Sequence, residues 1–137
     1  DEDTVSKFEF DLNIDESLQG EIFLINEELV ERAIINLINN SMSHNADGCL
    51  IGIKLYKNNK KIILEIKDDG QGVGREFLQK INKKSYAFEK SMGNHGLGLK
   101  IVKKVAEYHR WKIEFLKNED GGFSCRIELC RNKSMYQ

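Results

Sequence analysis

The 137-residue sequence contains no proline, and no apolar run in it approaches the roughly 18 residues that cross a membrane. Its 21 lysine and arginine residues and 22 aspartate and glutamate residues leave a formal charge of −1. This balance argues against nucleic-acid binding as the main task, which needs a basic surface. The acidic opening DEDTV is not a signal peptide, and because it lacks Met we expect a piece of a longer protein.

Cysteine and histidine are scarce, with three residues of each. The cysteines are odd in number and form no CxxC pair, which argues against a disulfide framework or a zinc site. The histidines lack the HExxH spacing of a metal site. We therefore expect ordinary thiols in a reducing compartment. The cysteines are Cys49, Cys125 and Cys130, and the histidines are His44, His95 and His109.

Alternating and helical periodicities run through most of the sequence, whose 40% apolar content is typical of a globular domain with its own core. Alternation predicts strands over Val5–Leu12, Glu21–Ile25, Leu50–Lys57, Lys61–Asp68, Trp111–Lys117 and Phe123–Leu129. Helical spacing and capping predict helices from Asn26 to about Asn45, over about 75–82, and over Gly96–His109. This order predicts an α+β two-layer sandwich, with one mixed sheet covered on one face by about three helices.

The pattern indicates one domain over residues 1–137, because no internal repeat or low-complexity stretch interrupts it. Its core is predicted at about residues 5–130. The polar, aperiodic stretch 83–95 is predicted to be a mobile loop. Residues 131–137 are predicted to form a C-terminal tail.

The first segment that could carry chemistry is a polar strip on the long predicted helix. Asn36, Asn40 and His44 lie at relative angles of about 0°, 40° and 80°, along the edge of the apolar face. Taken alone, the strip is more typical of asparagines that bond to neighbouring loops. The functional interpretation is a strip that lines a pocket, because an asparagine carbonyl oxygen is a suitable hard ligand for Mg²⁺.

The second segment is the run DDGQGVG, Asp68–Gly74, directly after an alternating strand. Its glycines permit backbone conformations and close ligand approach that side chains would forbid. A carboxylate at a strand end can accept a hydrogen bond from an exocyclic amine such as that of adenine. For DDG alone, a plain turn remains the simpler interpretation. The run is neither a Rossmann fingerprint, because Arg75 stands where a glycine is needed, nor a Walker loop.

The third segment is GNHGLGL, Gly93–Leu99, immediately before helical periodicity. Glycines at the start of a helix let its free N–H groups and its positive dipole end meet an anion, for which triphosphate is a natural guest. A glycine-rich hinge is the alternative. Each segment alone is a modest signal, but the three in this order, on helix, strand-loop and loop-helix, form a much more specific pattern.

Together these segments resemble the ATP-binding catalytic domain of bacterial sensor histidine kinases, of the Bergerat-fold superfamily that includes gyrase B, Hsp90 and MutL. The resemblance extends from about Ile22 to Leu129. Glu31–Asn45 is similar to the N box, Asp68–Val73 to the G1 box and Gly93–Val102 to the G2 box. The resemblance implies the Bergerat α/β sandwich, with ATP and Mg²⁺ as cofactors and an ATP lid over about residues 83–95.

The resemblance also implies roles for individual residues. Asn40 would ligate Mg²⁺ and Asn36 would face the phosphates, so both are candidate catalytic residues. Asp68 would bond the adenine amine. The remaining nucleotide contacts that it implies are with His44, Gly70, Gly72, Val73, Gly96, Leu97, Gly98 and Leu99.

One position separates branches of the superfamily. The hydrolysing members and the anti-sigma-factor serine kinases carry a Glu one turn before the metal-binding Asn, and such a Glu could activate water or a hydroxyl. Here that position is Asn36. An imidazole acceptor needs positioning and electrostatics more than a local base, so Asn36 favours a histidine kinase.

The resemblance therefore implies a cytoplasmic domain that donates the γ-phosphate of ATP to a histidine on a separate dimerisation domain. The response regulator of a two-component system is the second implied partner, and the parent protein is either soluble or membrane-bound. Two alternatives stay open: an anti-sigma-type serine kinase, and a non-catalytic nucleotide-binding or partner-binding module. The latter is motivated by Ser43, where many members carry a phosphate-contacting Lys, and by the missing proline of the F box.

Overall fold

The computed structural model describes residues 7–83 and 93–130, except for the side chains of 93–96. The strands are β1 (Phe8–Ile14), β2 (Cys49–Asn58), β3 (Lys61–Asp68), β4 (Lys112–Lys117) and β5 (Phe123–Leu129). The α-helices are α1 (Glu27–His44), α2 (Arg75–Ile81) and α3 (Gly93–Tyr108), and a 3₁₀ turn covers Glu16–Leu18. No helix in the described ranges is long and apolar enough to cross a membrane.

The strands form one mixed sheet in the order β1-β2-β3-β5-β4. β1 pairs with β2 in parallel, and the other neighbouring strands are antiparallel. The helices cover one face, where Ile51, Ile66 and Cys125 of the sheet pack against Leu37 and Leu99 of the helices. This arrangement confirms the predicted α+β sandwich with three helices on one face.

The two long helices are joined where α1 begins and α3 ends. Asn26 caps α1 with its side-chain oxygen, which accepts a hydrogen bond from the N–H of Leu29 at 3.0 Å. The N–H of Asn26 donates to Nε2 of His109, which is 3% exposed. Nδ1 of His109 lies 2.7 Å from the carbonyl oxygen of Val105 and therefore carries the proton. The helices consequently run side by side in opposite directions, and the middle of α1 approaches the start of α3.

The predicted strand Glu21–Ile25 is wrong. The chain there is extended but belongs to no ladder, and Ile22 is 77% exposed. The preceding residues form the 3₁₀ turn instead, capped by the Asp15 side chain, which accepts from the N–H of Ser17 at 3.0 Å. Alternation alone does not make a strand: this segment pairs with none of the described strands, although β1 is an edge strand of the sheet.

Other bounds also differ from the predictions. β1 begins at Phe8 and ends at Ile14, and residues 1–6 of the predicted strand and core lie outside the described residues. α3 begins at Gly93, so 93–95 are helical rather than part of the predicted loop, and Gly96 lies inside the helix. The rest of the predicted lid, residues 84–92, and the predicted tail lie outside the described residues.

Candidate functional site

The buried carboxylate of Asp68, the last residue of β3, is the centre of the candidate site. The residue is 3% exposed. Its Oδ2 accepts a hydrogen bond from the hydroxyl of Ser41 at 2.7 Å. Its Oδ1 accepts from the N–H groups of Gly70 at 3.0 Å and Phe123 at 3.3 Å. Three donors from three segments therefore fix the carboxylate. The lone pairs of a buried carboxylate oxygen need hydrogen-bond donors, either from the protein or from a ligand.

The loop after β3 is held against α1 by Asn45, the C-cap residue of that helix. Its Nδ2 donates to the carbonyl of Ser41 at 2.8 Å, and its Oδ1 accepts from the N–H of Gln71 at 2.9 Å. The Asn45 side chain occupies the space that a Cβ at Gly70 would need. Gly70 is therefore required by this packing alone, whatever its role toward a ligand.

The β4–β5 hairpin supports the same carboxylate from the other side. Nδ2 of Asn118 donates to the main-chain carbonyl of Asp68 at 2.9 Å. Gly122 lies so close to that carbonyl that a Cβ there would clash with it. Gly72 has a φ of +73°, and a Cβ there would collide with the backbone carbonyl of Gly121. The loop after β3 is thus braced by contacts that only glycine permits.

The predicted polar strip lies on α1, next to Asp68. Asn40 is 7% exposed, and its side-chain oxygen Oδ1 is buried without a hydrogen-bond partner among the described atoms. A buried oxygen acceptor left in this way costs stability unless it meets a ligand or a cation. Asn36, one turn earlier, and His44, one turn later, are half-buried. The unpartnered amide oxygen of Asn40 fits the hard oxygen ligand that Mg²⁺ prefers.

The predicted phosphate segment forms the start of α3. The first four N–H groups of any α-helix have no partner within the helix, which here concerns those of Gly93–Gly96. Gly98 lies in the second turn, where a Cβ would meet no described atom within 4 Å. Leu97 is 49% exposed, whereas Leu99 is fully buried and its side chain packs in the core. Val73 is half-buried and packs against the same core. The ligand roles of these residues stay predictions.

Negative charge near the site also acts on Cys49, at the start of β2. Burial, together with the charges of Asp68 and Asp69, raises the pKa of the Cys49 thiol to about 11. The side chain of Asp69 is held by the N–H of Leu50, at 2.8 Å. Cys49 is therefore a neutral thiol near pH 7 and is not activated as a nucleophile. Among the described residues, no group of three His, Cys, Asp or Glu side chains is arranged to hold a metal ion.

Sequence reasoning missed several residues that hold Asp68 in place: Ser41, Asn45, Asn118 and Phe123. A hydroxyl on the apolar side of α1 is a signal for Ser41, because a buried hydroxyl needs a partner. Asn118 and Phe123 are 50 and 55 residues from Asp68 in the chain. No local pattern links such distant positions, so only the folded chain reveals these contacts.

Comparison with known proteins gives a consistent result. The family model of histidine kinase-, DNA gyrase B- and HSP90-like ATPases matches residues 25–133. The chain is 36% identical over 98 residues to the sensor protein KdpD of Clostridium acetobutylicum, which covers 69% of this chain and 11% of KdpD. It is 32% identical over 102 residues to the heme sensor protein HssS of Staphylococcus saprophyticus, covering 74% of this chain and 22% of HssS. The chain thus spans only a small part of these curated relatives.

Solved structures give the same fold. The catalytic domain of the histidine kinase ThkA superposes with a TM-score of 0.72 at 20% sequence identity, covering 91% of this chain and 80% of that domain. At that level of identity, the similarity concerns the fold alone.

Proposed function

The chain belongs to the family of histidine kinase-, DNA gyrase B- and HSP90-like ATPases, and on this basis we propose that it binds ATP with Mg²⁺ and donates the γ-phosphate to a histidine on a separate domain. One observation carries the proposal. On consecutive residues of α1, the buried Oδ1 of Asn40 has no hydrogen-bond partner within the described parts of the chain, and Ser41 holds the buried carboxylate of Asp68. A hard oxygen acceptor and a fixed carboxylate in one region of the fold suit the Mg²⁺ and the base amine of a magnesium nucleotide.

The adenine end would be recognised by Asp68. Its hydrogen bonds to Ser41, Gly70 and Phe123 hold both oxygens in fixed positions, and each carboxylate oxygen can accept more than one hydrogen bond. A 6-amino group can donate to such an oxygen, whereas the 6-oxo group of a 6-oxo purine is itself an acceptor and cannot. A buried, preorganised acceptor of this kind discriminates strongly, because the wrong base leaves it unpaired. Gly70, Gly72 and Val73 would form the wall beside the base, and His44 would lie next to the nucleotide.

The phosphate end would lie between α1 and the start of α3. Asn40 would hold Mg²⁺, which when bound would offset the charge of the phosphate oxygens. Asn36 would face the phosphates, and the N–H groups at Gly96 and the open space beside Gly98 suit close approach of phosphate oxygens. Leu97 and Leu99 are the remaining residues of the proposed phosphate segment. Leu99 packs in the core and so holds α3 in position.

The chemistry at Asn36 favours transfer to imidazole. The lone pair of the acceptor nitrogen attacks the γ-phosphorus, the bond to the β,γ-bridging oxygen breaks, and ADP leaves with that electron pair. The imidazole then releases its other N–H proton to solvent, so no protein base is required. A serine hydroxyl or a water would need a base to remove its proton. An amide at position 36 is not such a base, which disfavours the serine-kinase alternative.

We place the acceptor histidine outside this chain. His109 is 3% exposed, and both of its ring nitrogens are engaged with the main chain. His44 is half-buried within the proposed nucleotide site itself. There would be two partners. One is a dimerisation domain that carries the acceptor histidine, and the other is a response regulator. We infer that the domain works in the cytoplasm, where ATP is available.

The direct test is calorimetric titration with a non-hydrolysable ATP analogue, with and without Mg²⁺. We expect binding that strengthens with Mg²⁺, and Asn40→Ala should remove most of the Mg²⁺ effect while the fold is retained. Asn39→Ala, on the exposed side of the same helix, is the matched control. No binding at high micromolar concentration would refute the proposal and leave the non-catalytic alternative. Phosphorylation of a histidine in this isolated chain would refute the separate acceptor.

A further inference from the structure

A buried histidine that the proposed chemistry leaves unused joins the two long helices. His109 directly follows α3 and is 3% exposed. Its Nε2 accepts a hydrogen bond from the N–H of Asn26, the N-cap residue of α1, at 3.0 Å. Its Nδ1 lies 2.7 Å from the carbonyl oxygen of Val105, in the last turn of α3. The imidazole ring therefore bonds the end of one helix and the cap of the other.

Two aromatic rings hold this imidazole in place. The indole of Trp111 stacks on it, with ring centroids 4.1 Å apart and an angle of 15° between the planes. The ring of Tyr108 packs at 75° to it, with centroids 5.0 Å apart. Trp111 is itself 7% exposed, and its indole N–H donates to the carbonyl oxygen of Cys130 at 3.4 Å. The direction in which Nε2 accepts is thus fixed by rings on either side of His109 in the chain.

The bond between Asn26 and His109 gives the two helices a common origin. Because they run antiparallel, both lead away from it on the same side, and each rises about 1.5 Å per residue. Asn40 lies 14 residues after Asn26, and His95 lies 14 residues before His109. Both positions are therefore about 21 Å from the bond along their helix axes. The proposed Mg²⁺ ligand thus stands level with the first turn of α3, whose N–H groups belong to the proposed phosphate site.

The core agrees with this register. Ala33 and Val102 each lie seven residues from the bond on their own helix, and both are buried in the same core, at 3% and 0% exposure. Aliphatic contacts of this kind are non-directional and tolerate small displacements. A hydrogen bond to a ring of fixed orientation is directional and weakens steeply with distance and angle. Among the described contacts between the two helices, the Asn26–His109 bond therefore fixes the position of α1 along α3 most sharply.

We propose that His109 is a positioning residue for the nucleotide site, which sets the spacing between Asn40 and the first turn of α3. The inference rests on the proposed function, because these two features are the proposed metal and phosphate contacts. The adenine end moves with α1, since Ser41 of that helix bonds Asp68, and no described donor to that carboxylate belongs to α3. A loss of position should therefore weaken binding of the triphosphate and leave binding of adenosine unchanged.

Two substitutions separate the bond between the helices from the bond to α3. The amide of a glutamine reaches about as far as Nε2, and that of an asparagine about as far as Nδ1. His109→Gln therefore keeps an acceptor for the N–H of Asn26, whereas His109→Asn keeps only a donor to the carbonyl of Val105. Each variant loses the ring stack and one hydrogen bond, so we expect similar losses in the free energy of unfolding, measured with urea. Each variant is thus the matched control for the other.

Binding is measured on the full 137-residue chain. We expect His109→Asn to bind the magnesium complex of a non-hydrolysable ATP analogue at least fivefold more weakly by calorimetry, and His109→Gln to stay within twofold of the unmodified protein. A fivefold loss corresponds to about 1 kcal/mol, the net contribution of one hydrogen bond. Both variants should bind adenosine as the unmodified protein does, followed by amide chemical shifts in ¹⁵N-labelled protein.

Several outcomes would overturn the inference. Equal losses of analogue affinity in the two variants, or full affinity in a folded His109→Asn variant, would show that the bond between the helices does not position the site. A parallel loss of adenosine binding would mean that His109 acts on the whole domain. Should His109→Asn not fold, His109→Gln still decides, because a fivefold loss in that folded variant would contradict the role of Nε2.

A measurement without nucleotide keeps this inference separate from the proposed function. In the free protein, the amide chemical shift of Asn40, about 21 Å from the bond, should change in His109→Asn and not in His109→Gln. An unchanged shift in both variants would overturn the inference. If the unmodified protein binds no nucleotide while the shift of Asn40 responds as expected, only the proposed function is refuted.

Discussion

The carboxylate of Asp68 allows the sharpest test, because it can be changed while most of its contacts are kept. Truncation to alanine would leave three buried donors, on Ser41, Gly70 and Phe123, without their acceptor. At about 1–3 kcal/mol for each unsatisfied group, the loss would total about 3–9 kcal/mol. Domains are stable by only about 5–15 kcal/mol, so the alanine variant would confuse unfolding with lost binding.

Asp68→Asn avoids this difficulty. The amide oxygen can still accept from the N–H groups of Gly70 and Phe123, and the amide nitrogen can donate to the hydroxyl of Ser41, which rotates to accept. The hydrogen bonds become neutral rather than charge-assisted, so we expect a loss of about 1–3 kcal/mol in the free energy of unfolding, measured with urea. The variant should therefore remain folded.

Binding should respond more strongly, because a donor would replace the acceptor that faces the adenine amine. The lost hydrogen bond and the repulsion between two donors that face each other together cost about 2–3 kcal/mol of binding free energy. This corresponds to a roughly 30- to 150-fold weaker affinity for an ATP analogue, measured by calorimetry. The same exchange should improve the affinity for inosine triphosphate relative to ATP, because its 6-oxo group is an acceptor. Asp69→Asn is the matched control, since this neighbouring carboxylate is exposed and accepts a hydrogen bond from the N–H of Leu50.

Unchanged ATP affinity in a folded Asp68→Asn variant would refute the assignment of Asp68 to adenine. An equal loss in Asp69→Asn would also refute it, because the effect would then reflect charge near the site rather than a specific hydrogen bond.

Three further predictions follow from the glycines and the thiol. Gly98→Ala should raise the free energy of unfolding by about 0.5–1 kcal/mol, because alanine favours helix and a Cβ there meets open space, yet weaken nucleotide binding at least tenfold. Gly72→Ala should lower the free energy of unfolding by more than about 1 kcal/mol, because Gly72 has a positive φ and its Cβ would collide with the Gly121 carbonyl. Gly74→Ala should lower it by well under that amount, because a Cβ there meets no described atom within 4 Å. Urea unfolding measures both. Cys49 should react with iodoacetamide at pH 8 about a hundredfold more slowly than an ordinary thiol, because a pKa of about 11 rather than 9.0 lowers its thiolate fraction about a hundredfold.

Each of these has a clear contrary result. Gly98→Ala with unchanged nucleotide affinity would show that phosphate does not approach that turn. Equal stability of the Gly72→Ala and Gly74→Ala variants would contradict the strained contact with the β4–β5 hairpin. Labelling of Cys49 at an ordinary rate, with Cys49→Ser as the control for the assignment, would contradict its protected environment.

Much of the site was readable from short stretches of sequence. The polar strip on α1 followed from helical spacing, and its cap at Asn26 followed from the residue type. The end of β3 at Asp68 followed from alternation and the glycine run. These features depend on neighbours within one or two turns, so the local sequence is sufficient to predict them.

Other features could not be predicted in this way. Glu21–Ile25 alternates like a strand but pairs with none of the described strands, and the start of α3 lies three residues earlier than its glycines suggested. The packing of α1 against α3 is a further example, because the hydrogen bond that joins them links Asn26 to His109, 83 residues away in the chain.

The sequence by itself determined most of the helices and strands, though not the 3₁₀ turn or the extended segment Glu21–Ile25. It also indicated the asparagines, the aspartate and the glycines through which we propose that the protein binds a nucleotide. Only the tertiary structure decided that Ser41, Gly70 and Phe123 together hold Asp68, and that the buried oxygen of Asn40 meets no partner in the part of the chain that the structure describes. The physical reason is that periodicity and capping act between residues close in the chain, whereas burial and hydrogen-bond satisfaction depend on segments that meet only when the chain folds.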